Sequence, residues 1–402
     1  MGASLTNIDS FGALQKGPDI SLPKTRVLFV SPVSEAKGGA ERALIELLSN
    51  PWLDCALAVP EYGELGIAAE RRNVACACYH PTALSSVHRP PRLSQMAAAV
   101  VDTFRCALRI RRIARAHSCD LIHTNGLKAH AIGVLLRILF GFQVVVHLHD
   151  IPYSKLERMI WRGISLFANR VIVVSSPCWP GTMTKKVFVL PNGVRAVSSL
   201  PAPAPKPNNV RLGFVGRYHP HKGLDLLLDW VGAARDAGLD VGLVTRGRPD
   251  PDHPLYWPRI CDRIKAEGRE PYVIDQGWQN GERTYQDIDF LLVPSDIPDP
   301  APLVIPEAMM AGVVVIGFPA GGIPSLIPPG TGSLARSPLE FVAALRTYLQ
   351  TPGLYEEVRA AAYRHVKVAH DPDVLAQRFA SICSALRSTK TKERPASGSA
   401  PL

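Results

Sequence analysis

Short apolar runs recur along the chain, each closing on glycine, histidine, proline or a charged residue before helically spaced apolar positions take over. Arg26-Val-Leu-Phe-Val-Ser-Pro32 is the first, and it passes through Glu35-Ala-Lys-Gly-Gly-Ala-Glu-Arg42 into the helical stretch Ala43–Leu48. Runs at Leu53–Pro60, Val74–Tyr79, Asp120–Gly126, Gln143–Asp150, Arg170–Ser176 and Val187–Val194 repeat the form. Continuous rather than alternating apolarity suits strands covered on both faces, and strands alternating with helices predict a parallel α/β sheet. Such sheets bind ligands beyond the carboxyl ends of their strands, so the residues closing each run are the first candidates for function.

The pattern is interrupted once and then restarts. Between Ser198 and Asn209 a proline stands at every second position from Pro201 to Pro207, the signature of a semi-rigid connector. Beyond it runs at Val210, Val241–Thr245, Tyr272–Gly277, Phe290–Ser295 and Val313–Phe318 begin a second α/β series. The reading is therefore a polar tail over 1–24, a first Rossmann-like domain over 25–197, a linker over 198–209 and a second Rossmann-like domain over 210–368. A helical stretch follows, broken near Asp371-Pro372, with a last helix over 369–387 and a basic, disordered tail over 388–402. A chain of 402 residues is too long for one core and suits two.

Composition narrows the partners. A formal net charge of +10 and a pI near 9.3 favour an anionic one, but no aromatic-interleaved basic motif argues for nucleic acid. Cys76-Ala-Cys78 has no second pair to complete a metal site, so the eight cysteines are expected to be reduced thiols. The apolar run Ala129–Val146 is broken by Arg137, Gly141 and Gln143 and is too short in register to span a membrane. No charged-then-apolar leader opens the sequence, and only the loose Gly2 myristoylation pattern is met. Between Arg92 and His117, Arg105, Arg109, Arg111, Arg112 and Arg115 fill the positions between helically spaced apolar residues. That stretch is either a basic face for an anionic membrane or a solvated helix of the domain.

The chemistry concentrates in a few loops. Asp299 and Glu307 stand eight apart in a segment that leads through Pro306, at an expected first helical position, to Gly312, a strand and Gly321-Gly322. A carboxylate early in a helix suits paired hydroxyls, and the helix start offers N–H groups to phosphate. Arg217 and Lys222 leave a glycine-rich strand–helix junction, where two cations beside backbone N–H groups suit a diphosphate. Gly38-Gly39 occupies the equivalent junction of the first half without the spacing of a dinucleotide or P-loop motif. His147 and His149 close the Gln143 strand; lacking a third partner they are not read as metal ligands, and His149 is the candidate for hydrogen bonding to substrate.

Gly38-Gly-Ala-Glu-Arg42, His149-Asp150, Pro191-Asn-Gly-Val194, Gly213-Phe-Val-Gly-Arg217 with Lys222-Gly223, and Asp299 through Glu307 to Gly321-Gly-Ile-Pro324 run in one order. In that order they closely resemble the family 4 retaining glycosyltransferases, over roughly residues 25 to 387. The resemblance implies a GT-B fold: two Rossmann-like domains facing across a cleft, with the C-terminal helix crossing back to the N-terminal domain. It implies transfer of a hexose-type sugar from a nucleoside diphosphate, with retention, without metal or cofactor. Arg217, Lys222, Asp299 and His149 would be catalytic; Gly38, Gly39, Gly216, Leu303, Val304 and Glu307 would bind the donor. The implied acceptor is a lipid-linked or polysaccharide-precursor glycan, used in the cytoplasm or peripherally at the cytoplasmic face of an anionic membrane. Two departures stand out: the family usually has glutamate at the position of Asp299, and Pro302 replaces a common glycine, removing an N–H. The competing readings are a non-catalytic glycosyltransferase-like binding subunit and a sugar-nucleotide 2-epimerase of the same architecture.

Overall fold

The computed structural model describes residues 24–36, 38–82, 93–195, 205, 208–279 and 281–392. The expected tails before 24 and beyond 392, and most of the proline-rich stretch 198–209, lie outside the described residues. Residues 388–392, read from sequence as tail, continue the last helix.

The chain forms two compact units. The first holds the residues up to Val174, Cys178–Leu190 and the chain from Pro372 onward; the second holds Ser175–Pro177 and Pro191–Asp371.

In the first unit, β1 (Thr25–Val30), β2 (Leu53–Val59), β3 (Ala75–Cys78), β4 (Leu121–Asn125), β5 (Gln143–Leu148), β6 (Arg170–Val173) and β7 (Val187–Val189) form one parallel sheet. Their spatial order is β3-β2-β1-β4-β5-β6-β7, so the direction of winding reverses between β1 and β4. The connecting helices are α1 (Gly39–Leu48), α2 (Glu64–Glu70), α3 (Leu93–Ala116), α4 (Leu127–Phe140) and α5 (Lys155–Phe167). Val27, Phe29, Leu57 and Val145 are fully buried, as strands covered on both faces require. The last helix of the chain, α12 (Pro372–Lys392), belongs to this unit. Its Leu375, Phe379, Ile382, Cys383 and Leu386 fall at helical spacing and enter the core that holds Val27 and Phe29. Phe379 stacks on Phe29 with centroids 5.9 Å apart and meets His123 edge-on at 5.3 Å.

In the second unit, β8 (Val210–Tyr218), β9 (Val241–Pro249), β10 (Val273–Asp275), β11 (Phe290–Val293), β12 (Val314–Gly317) and β13 (Ser333–Leu334) pair in parallel in the order β10-β9-β8-β11-β12-β13. Here the winding reverses between β8 and β11, which pair through Phe290–Leu212 and Leu291–Gly213. The helices are α6 (Leu224–Asp236), α7 (Tyr256–Ala266), α8 (Val304–Met310), α9 (Ile323–Leu326), α10 (Pro338–Gln350) and α11 (Leu354–Ala369). Trp230 of α6 stacks on Phe341 of α10 at 5.1 Å in one core, while Ile305 and Met309 of α8 pack with Ala362 and Val366 of α11 in another.

Two local expectations are corrected. The strand read as Val241–Thr245 runs on to Pro249, because Gly247 lets β9 lie against β8: a Cβ there would stand 2.1 Å from the Gly216 carbonyl oxygen. Pro306 is the third residue of α8 rather than the first, since the helix opens at Val304 and its Ile305 N–H already donates to the Pro302 carbonyl. Proline is tolerated throughout that first turn, where its missing N–H has no helical partner to lose.

Candidate functional site

The reversal between β8 and β11 decides what meets in the second unit. Arg217 is the penultimate residue of β8, and a 3-10 turn, Pro220–Lys222, follows it. Gly223 then adopts φ of +69°, and a Cβ there would lie 2.0 Å from the Pro294 carbonyl oxygen, so only glycine lets the turn close against the end of β11. That approach carries Lys222 to the loop after β11, where its Nζ forms an ion pair with the Asp299 carboxylate across 77 positions of sequence. Backbone packing holds Asp299 from the other side. Gly321, with φ of +58°, and Gly322 lie against residues 299 and 300, and the Gly322 N–H donates to the Asp299 carbonyl at 2.8 Å.

Arg217 Nη1 donates to Asp250 Oδ2 at 2.8 Å. Asp250 itself is buried and also accepts the Asp252 N–H, so it fixes one end of the guanidinium while the rest stays in solvent. Arg217 and Arg248 are register partners, which places the Asp250 carboxylate just past the strand ends, in reach of Arg217. Gly216, with φ of +152°, precedes Arg217 in this strand. Glu307 lies in the first turn of α8 and accepts the Tyr285 hydroxyl on Oε2 at 2.6 Å; Tyr285 is buried. The N–H groups of Leu303 and Val304 precede the first intrahelical bonds of α8, which Ile305 and Glu307 donate. Sequence reading missed Asp250 and Tyr285. Asp250 follows a proline in a stretch that reads as a turn, and Tyr285 lies in an aperiodic loop; only the register of β8 and β9 and the packing beside α8 reveal them.

Arg246 follows the apolar run read as Val241–Thr245 and lies within β9. It is buried and donates to Gln276 and to the carbonyls of Arg283, Thr284 and Gln286, tying a loop to the sheet.

In the first unit, Gly38 is the N-cap of α1 in extended conformation and Gly39 its first residue, just beyond β1 at the reversal point. The Glu41 carboxylate folds back over this end, and a Cβ on Gly38 would lie 2.4 Å from it. An acid there complements the positive helix end. His149 follows β5, with its ring 4.1 Å from that of His147. His147 Nδ1 lies 3.3 Å from His123 Nε2 on the neighbouring strand, and the Thr124 hydroxyl lies 2.8 Å from His130 Nδ1. Burial pushes all four imidazoles down: His149 to about 4, His130 to about 3, and His123 and His147 well below the ordinary value. At neutral pH each ring is uncharged and offers one donor and one acceptor. Among the described residues no group of three or more metal-ligating side chains has metal-holding geometry.

Each ring stays neutral when folded but takes a proton near pH 6.5 when unfolded, so its stabilising contribution is present above about pH 6.5 and is lost as the pH falls. For His130 alone, lowering the pH from about 7.5 to about 5.5 is expected to cost roughly 1 kcal/mol. Urea unfolding of wild type and His130→Gln at both pH values checks this; equal pH sensitivity in the two proteins would show that His130 is not held neutral.

The first unit's parallel sheet, the second unit's parallel sheet and the glycine-rich cationic end of β8 together define a GT-B glycosyltransferase fold. A glycosyltransferase family 4 model matches residues 68–196 and a glycosyl transferases group 1 model matches residues 209–351; the chain belongs to this family. By sequence alone it matches no curated protein. Among solved structures it is similar to HepE of Anabaena in complex with UDP, at 21% identity and a TM-score of 0.72, covering 90% of this chain and 100% of that one. Sucrose-phosphate synthase of Thermosynechococcus elongatus is similar at 19% identity and a TM-score of 0.72, covering 91% and 100%. A lipopolysaccharide outer core galactosyltransferase, WaaB, is similar at 18% identity and a TM-score of 0.69, covering 90% and 100%.

Proposed function

We propose that the protein is a retaining, metal-independent hexosyltransferase that uses a nucleoside-diphosphate sugar, UDP being the first base to test, and a lipid-linked or polysaccharide-precursor glycan as acceptor. The observation that carries the reading is the meeting of Lys222, Asp299 and the end of β8 bearing Arg217 at the reversal point of the second sheet, with Glu307 on the next helix. HepE structures described as holding UDP and UDP-glucose, and the galactosyltransferase of the lipopolysaccharide outer core, support the choice of donor and acceptor class.

In this reading Arg217 and Lys222 bind the diphosphate, and Lys222 exchanges its Asp299 partner for phosphate oxygen. As the bond between the anomeric carbon and the phosphate oxygen breaks, its electron pair stays on the diphosphate, and the two cations stabilise that charge. The acceptor hydroxyl attacks the same face of the sugar and its proton passes to the departing phosphate oxygen. Glu307, steadied by Tyr285, accepts the ribose hydroxyls; Gly216 leaves room for the donor, and the Leu303 and Val304 N–H groups serve the sugar or phosphate. Asp299 orients sugar hydroxyls from one methylene further back than a glutamate. The N–H groups of Gly38 and Gly39 bind phosphate, and neutral His149 hydrogen-bonds the transferred sugar without adding charge. Reaction takes place in the cytoplasm, peripherally at the membrane.

The test is thermal unfolding with UDP, GDP, ADP and dTDP in the absence of metal. A nucleotide at about 100 times its Kd adds about 2.7 kcal/mol of stability. One nucleotide is expected to stabilise wild type and to lose that effect in Arg217→Ala. Stabilisation of both proteins alike would remove Arg217 from the site, and no stabilisation by any of the four would favour a non-catalytic binding subunit.

A further inference from the structure

We propose that α5 is the surface by which the protein rests on an anionic lipid bilayer, an inference that rests on the membrane-surface placement just proposed. At 100° per residue, α5 carries two apolar stripes. Trp161, Ile164 and Ala168 point inward, and Trp161 and Ala168 are buried. Leu156, Met159, Ile160, Leu166 and Phe167, with Gly163 between them, share the opposite side. A helix apolar on both sides is ordinarily buried all round. Here the outer stripe is open: Leu156 is 64% exposed, Met159 68% and Leu166 74%.

The charge beside that stripe selects the occupant. Lys155, Arg158 and Arg162 lie at i, i+3 and i+7 along its flank, and all are exposed. Arg158 donates to the Tyr153 carbonyl and Arg162 to the Pro180 carbonyl, and among the described residues neither forms an ion pair. The bond from Arg162 to Pro180 also brings the following loop alongside the helix, where Met183 is exposed and Lys186 Nζ donates to the carbonyl of Ala168 at the end of α5. An apolar band bordered by cations is the form of a helix lying in the boundary between acyl chains and acidic headgroups. Among the described residues no helix is long and apolar enough to cross a membrane, so contact of this kind is peripheral.

The basic stretch Arg92–His117 forms most of α3 and offers less open apolar surface than α5. In α3, Cys106, Ala107, Ile110 and Ala114 are spent in the core, Arg109 donates to the Tyr79 and His80 carbonyls, and Arg111 stacks on Phe140. Among the described side chains of α3 the exposed large apolar ones are Val100, Val101 and Phe104, in its first half, a shorter run than the outer stripe of α5.

The experiment is co-sedimentation of the full chain with phosphatidylcholine vesicles, with and without phosphatidylglycerol. Wild type is expected to pellet with the acidic vesicles alone and to be released by salt. Met159→Glu/Ile160→Glu is expected to stay in the supernatant, and Arg158→Gln/Arg162→Gln to partition roughly tenfold or more weakly. Val100→Glu/Phe104→Glu is expected to pellet as wild type does. Each variant is also melted with and without nucleotide, so loss of the donor site is read separately from loss of the lipid face. The proposal is overturned if wild type ignores acidic vesicles, if the Met159/Ile160 variant still pellets, or if that substitution instead dissociates a dimer in solution, which would assign the face to a second copy of the chain.

Discussion

Replacing Lys222 with alanine is expected to lower sugar transfer by roughly 10²- to 10³-fold, the cost of removing one preorganised donor to developing negative charge. The structure makes this side chain hard to replace. Gly223 holds the turn so close to the end of β11 that no other residue fits, and Lys222 is thereby delivered to Asp299. Alanine removes the cation and leaves Asp299, largely screened from solvent, without its partner. The loss is expected in kcat more than in KM, because the charge on the departing diphosphate grows only as the bond breaks. The fold should persist, since Lys222 is partly exposed and contributes little to the core. Steady-state kinetics and a melting curve check both halves. Wild-type turnover in a folded Lys222→Ala protein would sink the catalytic reading, whereas a changed KM at constant kcat would reduce Lys222 to a binding group.

Phe379→Ala is expected to destabilise the first unit by about 3–5 kcal/mol, the usual cost of truncating a buried phenylalanine. Phe379 is fully buried, lies against Phe29 and His123, and is the centre of the stripe by which α12 joins the core over β1. The cavity would open between a helix and a sheet some 350 positions apart in sequence (|i−j| = 359 for the neighbouring Thr25–Ser384 hydroxyl pair), so local chain relaxation cannot close it cheaply. Denaturant unfolding of wild type and variant measures the difference. A loss under about 1 kcal/mol would mean that α12 is only loosely attached.

The α/β class was legible because both strand series are apolar throughout and both are punctuated by loops rich in glycine, proline and histidine. Glycines at 38, 39, 216, 223, 321 and 322 were legible for a related reason: a glycine cluster after a strand marks a backbone that must turn or approach closely. The structure specifies which approach, Gly223 to the end of β11 and Gly321-Gly322 to residues 299 and 300. The outer stripe of α5 was present in the sequence too, but spacing cannot say whether the second apolar side of a helix is covered. That depends on what packs there.

Sequence by itself determined that the chain builds two parallel sheets, that its chemistry lies at strand ends, and that Arg217, Lys222, Asp299 and Glu307 belong to one family pattern. Tertiary structure alone decided which of these touch: Lys222 pairs with Asp299, Arg217 with the buried Asp250, and Glu307 with Tyr285. The physical reason is the order of strands. Hydrophobic periodicity is a local property, but β8 pairs with β11 across the intervening β9 and β10, and that pairing is set by how the helices cover both faces of the finished sheet.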